Sequence, residues 1–187
     1  MVRRIAVISV FLVALLGAMP ARADLALGLG VSGNFGVDND QLQLPDSWSI
    51  DGALGYRLTL GIVELTPEVD LTYLRSTGSL KSHDVGWAFQ AAAGGRIGVQ
   101  IGSIVPSVYV LGGLGVLQVT NQDLVQHEKT GPYYEVGGAV DFRVGERSSL
   151  GIQAGYGAVS LSDIEADIKS AEVKRIRAGL RLTIFIL

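Results

Sequence analysis

The sequence predicts an all-β protein: an eight-stranded antiparallel up-and-down transmembrane β-barrel preceded by a signal peptide. Three observations predict it. The stretch from Arg175 to Leu187 puts apolar residues at every even position and Arg175, Arg177 and Arg181 on the odd face, and period two is the signature of a strand. Seven further stretches repeat that two-faced pattern, several with carboxylates on the charged side. The segments between them alternate long, short, long, short, long, short, long, which is how a barrel crossing a membrane sorts its connections.

The N-terminal segment 1–23 stands apart. Arg3 and Arg4 precede an apolar run from Ile5 to Met19, and Ala21-Arg22-Ala23 follows. This is the pattern of a secretory signal peptide with a small-x-small cleavage site. The run is shorter than the ~20 residues a helix needs to cross a bilayer. The barrel domain is therefore read over 24–187. The net charge is −3 for the whole chain, and loss of Arg3, Arg4 and Arg22 takes it to −6, an acidic balance that speaks against nucleic acid as a partner. With no cysteine, an exported chain must hold together without disulfides. Closing the sheet does this, because no strand edge is then left open.

The first strand, 24–33, sets Leu25, Leu27, Leu29 and Val31 against Ala26, Gly28, Gly30 and Ser32. A polar, turn-rich loop over 34–47 follows. The second, 48–60, has Trp48, Ile50, Leu54, Tyr56 and Leu58 opposite Ser49, Asp51, Arg57 and Thr59, and Gly61 allows immediate reversal. The third sets Val63, Leu65, Pro67, Val69, Leu71 and Tyr73 against Glu64, Thr66, Glu68, Asp70 and Thr72. After a loop at 76–83, the fourth places Val85, Trp87, Phe89, Ala91, Ala93, Ile97 and Val99 opposite Asp84, Gln90, Gly94, Arg96 and Gly98. A turn at 101–103 leads to the fifth, which is apolar on both parities; continuity with Pro106 puts Val108, Val110, Leu114 and Val116 outward and Tyr109, Leu111 and Leu117 inward. A polar stretch over 120–131 reads as a longer loop. The sixth strand has Tyr134, Val136, Val140 and Phe142 against Glu135, Gly137, Asp141 and Arg143, and a turn at 145–148 ends it. The seventh sets Leu150, Ile152, Ala154, Tyr156 and Ala158 against Gly151, Gln153, Gly155 and Gly157. The stretch 160–170 fits two structures: Ser162 with Glu165 makes a capping box for a short helix, and Ile164, Ala166 and Ile168 fit an extended strand.

Three features point the apolar face at lipid rather than at a soluble core. The strands mostly exceed the ~9 to 11 tilted residues that cross a bilayer. Glycines collect on the charged face, at Gly55, Gly86, Gly94, Gly98, Gly137, Gly151, Gly155 and Gly157, where a narrow interior demands small side chains. Trp48, Tyr73, Trp87 and Tyr134 lie on the apolar parity beside the long loops, as an aromatic girdle at one height would. The interior then holds Asp51, Glu64, Glu68, Asp70, Asp84, Glu135 and Asp141 with Arg57, Arg96, Arg143, Arg175, Arg177 and Arg181. Charges in a narrow lumen persist only when paired, so a plugged, ion-paired interior is expected.

The signal peptide, the stretch from Gly131 to Phe142 and the ending Ala178-Gly179-Leu180-Arg181-Leu182 resemble the small bacterial outer-membrane β-barrels, the OmpA-like and opacity-protein-like superfamily of porin-family barrels. The resemblance implies an outer-membrane location, surface-exposed loops, and as partners the outer-membrane lipids and lipopolysaccharide, the barrel assembly machinery, and a surface ligand reached through the long loops. The chain departs from the family at its end, where an outward aromatic is usual and Ile186 and Leu187 stand instead.

Motifs for chemistry are sparse. Gly28-Leu29-Gly30-Val31-Ser32-Gly33 matches a dinucleotide-binding string, but it lies inside a strand and opens no helix. Ser82-His83-Asp84 has triad residue types whose consecutive side chains point apart. His83 and His127 are the two histidines and both fall in expected loops. Asp38, Asp40 and Asp46, and Asp163, Glu165 and Asp167, read as solvated acidic surface ahead of a divalent-cation site bridging to lipopolysaccharide. No cofactor and no metal is expected. The reading is a non-enzymatic outer-membrane barrel with a structural or loop-binding role; the alternatives are a narrow conduit for small apolar molecules and a lipid-modifying barrel enzyme.

Overall fold

A computed structural model of the chain describes residues 21–37, 44–77, 84–120, 125–165 and 168–186. Eight strands follow one another: β1 Ala21–Val37, β2 Ser47–Leu60, β3 Val63–Ser76, β4 Val85–Val99, β5 Ile104–Thr120, β6 Gln126–Arg143, β7 Ser148–Glu165 and β8 Ile168–Ile186. Each pairs antiparallel with its sequence neighbour and β8 returns to β1, so the sheet closes. The three connections β2–β3, β4–β5 and β6–β7 are tight, and each carries a glycine at positive φ, Gly61, Gly102 and Gly145, a conformation that costs glycine nothing.

The register sets the size of the barrel. From Gly28 the ladder leads through Ala53, Asp70, Ala92, Gly113, Tyr133 and Val159 to Val173, yet the direct partner of Gly28 on β8 is Thr183, ten residues away. With the usual strand spacings that offset tilts the strands by about 40° and gives a radius of about 8 Å. Such an interior has room for side chains and little else.

Alternation decides the two faces. On β8, Arg175, Arg177 and Arg181 are buried while Ile176, Leu180, Leu182, Ile184 and Ile186 are each about half exposed. On β5, whose two parities are both apolar, Val108, Val110 and Leu114 face out and Tyr109, Leu111 and Leu117 are buried. Exposed apolar rows all round a closed sheet are stable only against hydrocarbon.

The structure revises several local expectations. β5 and β6 stay paired up to Thr120 and Gln126, so most of the stretch 120–131 is strand, not loop. Its outward side chains are polar because these rungs rise past the apolar belt into water, and backbone bonds alone sustain the ladder there. β7 runs to Glu165 and β8 starts at Ile168, which selects the extended form of 160–170 over the helix. β1 extends beyond 24–33 at both ends; it begins at Ala21, three residues ahead of the expected mature start. A bulge in β4 between Val85 and Trp87 shifts the parity, so Val85, expected outward, is buried. Ala158, also expected outward, is buried between Tyr134 and Lys174 in the register.

A candidate functional site in the ion-paired lumen

Inward parity alone gathers the charged side chains, and the tilt of the strands then stacks them in tiers. At the end with the tight turns, Arg57 pairs with Asp24 and Arg143 with Glu64. Both guanidiniums lie over the inward ring of Phe185, at 3.7 and 4.4 Å from its centroid, where the ring face attracts cations. One tier up, Glu68 meets Arg181 at 2.7 Å and Arg96 at 3.5 Å, and Arg96 reaches Asp141 at 4.0 Å.

The third tier centres on Glu135, which is fully buried. Arg175 contacts it at 3.0 Å and Arg177 at 3.3 Å. The Tyr109 hydroxyl donates to it at 2.9 Å, and the Tyr133 hydroxyl donates to its other oxygen. Arg175 also donates to Gln90 at 2.8 Å. Arg177 reaches across to Asp51 at 3.8 Å, whose carboxylate makes no hydrogen bond. Asp70 accepts from Thr72 at 2.8 Å. Glycine makes room for this tier: a Cβ at Gly155 would run into the Tyr109 hydroxyl.

Above the charges the lumen changes character. Leu74, Val85, Ala88, Leu117, Val119, Val159, Leu161 and Val173 form one buried apolar cluster, joined by Leu44 from the β1–β2 connection. At the tight-turn mouth a recess of about 490 Å³ is lined by Arg57, Glu64, Gln100, Arg143 and Glu146, whereas the cavities farther in are small. One of about 30 Å³, between the first two tiers, is lined by Arg57, Glu64, Glu68, Arg96, Asp141 and Arg181 among others, and one of about 10 Å³ lies in the apolar cap. These volumes hold about two waters and about one.

All the lumenal residues named from the sequence face inward, Arg96, Asp141 and Arg143 being half-buried and the others buried. Asp84 is buried too, but beside the bulge near the loop end and away from the tiers. Of the girdle residues, Trp48 and Tyr73 meet edge to face, 6.2 Å between centroids. The exposed Tyr134 donates to Glu172 at 3.1 Å. Trp87 stands two residues nearer the loops, and Phe89 takes the place beside Tyr73. Asp24 and Tyr133 escaped the sequence reading, as did the contact of the inward Tyr109 with Glu135 and the apolar cap as a unit. Inward parity could have found the first two, since Asp24 shares the parity of Ala26 and Gly28, and Tyr133 that of Glu135. Asp46 is exposed. His83, Asp38, Asp40 and Asp167 lie outside the described residues, as do the side chains of Asp163 and Glu165.

The family model of the outer membrane protein beta-barrel domain matches residues 8–180. The chain belongs to this family. Its place is therefore the outer membrane, with the tight turns on the periplasmic side and the longer strand ends outside. Among solved structures, Neisserial surface protein A (NspA) is similar at 9% identity and a TM-score of 0.63, over 88% of this chain and 98% of that one. The N-terminal β-barrel domain of Pseudomonas aeruginosa OprF matches at 14% identity and 0.48, over 88% and 100%. Ail, the attachment invasion locus protein of Yersinia pestis, solved with the heparin analogue sucrose octasulfate, matches at 12% and 0.41, over 88% and 99%. No curated protein matches the sequence. NspA shares the barrel fold with this chain.

Proposed function

We propose that this outer-membrane barrel is a non-enzymatic envelope protein with a plugged lumen, serving as a structural element and as a scaffold for surface-binding strand ends and loops. The observation that carries the reading is the Glu135 tier. It joins β5, β6 and β8 through Tyr109, Arg175 and Arg177, with an apolar cap above, and beyond the tight-turn mouth the lumen keeps cavities of about 30 and 10 Å³. Outer-membrane lipids and lipopolysaccharide contact the apolar belt, the barrel assembly machinery inserts the chain, and a ligand meets the raised β5–β6 and β7–β8 hairpins. Residues 1–23 act as the cleaved signal peptide. The one histidine among the described residues, His127, is exposed near the loop end, away from the buried network, which supports a role without catalysis.

Planar-bilayer recording tests the plug: the purified protein should add no steady current above the bare bilayer, and a large stable conductance would overturn it. A second reading, a conduit for small apolar molecules, has its own support. The β2–β3 ladder lacks rungs between Gly55–Glu68 and Leu58–Leu65, beside Pro67, which has no N–H to give.

A further inference from the structure

On the lipid-facing surface Arg75 is out of character. β3 presents Val69, Leu71 and Tyr73 outward, and Arg75 follows on the same parity, exposed. In the register it stands between Trp48 of β2 and Trp87 of β4, the two tryptophans of the chain. Each lumenal arginine has a carboxylate within ion-pair distance. Among the described residues Arg75 has none, and its guanidinium lies over no ring.

Beside it the β4 bulge opens an outward recess of about 380 Å³, lined by Arg75, Ser76, Trp87, Gln118 and Gln126, with Tyr73 at its membrane edge. The recess sits one step above the ring formed by Trp48, Tyr73 and Phe89. That is the level of the outer leaflet's headgroups. A bare guanidinium in hydrocarbon is costly, whereas at this level it can meet phosphate, for which its planar fork is well shaped. Amide and indole N–H groups around it are further donors. The carboxylate across the ladder, Glu128 opposite Gln118, is two residues nearer the membrane than Gln126 but lies on β6, three strands from Arg75 on β3, and does not line the recess.

We propose that this recess binds the phosphate of an outer-leaflet lipid, with Arg75 as its counter-ion and Trp87 and Tyr73 against the sugar or glycerol that carries it. The proposal rests on the lipid contact stated above and gives it a site. Because Trp48 and Trp87 are the only tryptophans, their emission reports on this recess directly. The test titrates the folded protein in neutral-detergent micelles with bisphosphorylated lipid A, with the same lipid stripped of phosphate, and with inorganic phosphate. The wild type should show a saturable emission shift with the phosphorylated lipid. Arg75→Gln should bind about tenfold more weakly, the loss of one charge-assisted contact, while retaining the heat-modifiable mobility of a folded barrel. Stripped lipid and inorganic phosphate should give no saturable shift. Equal affinity in Arg75→Gln, or equal binding of stripped lipid, overturns the site and leaves the lipid reading standing. Binding of inorganic phosphate as tight as the lipid's overturns the choice of a lipid, and failure of the wild type to bind any lipid sinks both.

Discussion

Replacing Arg177 with Met removes the charge that serves two buried carboxylates while keeping much of the side chain's volume. Arg177 is 1% exposed, 3.3 Å from Glu135 and 3.8 Å from Asp51. At an effective dielectric constant of about 20 those contacts are worth about 5 and about 4 kcal/mol. Relief of the guanidinium's desolvation offsets part of the loss. Glu135 keeps Arg175, Tyr109 and Tyr133, whereas Asp51 loses the arginine within ion-pair distance and keeps only the more distant charge of Arg181. A net loss of about 3 to 5 kcal/mol follows, the usual cost of breaking a buried pair from one side. The assay is urea unfolding in detergent micelles, followed by tryptophan emission and heat-modifiable mobility. Adding Asp51→Asn to Arg177→Met removes the stranded charge and should restore at least about 1 kcal/mol, a coupling typical of residues in one network. A single variant within about 0.5 kcal/mol of wild type, as for a solvated surface arginine, would refute the argument. So would a double variant no more stable than the single.

Leu180 is half exposed between Val31 and Ile152 near the middle of the apolar belt, so Leu180→Arg should cost about 2 to 4 kcal/mol in lipid bilayers; a change below about 0.5 kcal/mol would mean that this face meets water. Catalysis on lipid is tested by His83→Ala with His127→Ala: mass spectra of the host's lipid A should be superimposable with those of the wild-type strain, and any shift in acyl chains would revive the enzyme reading.

What the sequence determined by itself is what period two can carry. Whether Glu135 or Tyr134 points inward is settled by each residue's parity along its own strand, so the charged lumen, the lipid face and the tight turns at Gly61, Gly102 and Gly145 were all legible. Where one extra residue breaks parity, as at the bulge before Trp87, the inference failed for Val85. β5 read as ambiguous for a physical reason: Leu111, Leu117 and Val119 line an apolar cap inside, so both its faces are apolar. The partners within the lumen are another matter. Arg181 and Glu68 meet although 113 residues separate them, and Asp24 finds Arg57 on the next strand. These meetings depend on the ten-residue offset with which the sheet closes, which decides which residues of different strands share a height. That offset is a property of the closed ladder as a whole, and only the tertiary structure decided it.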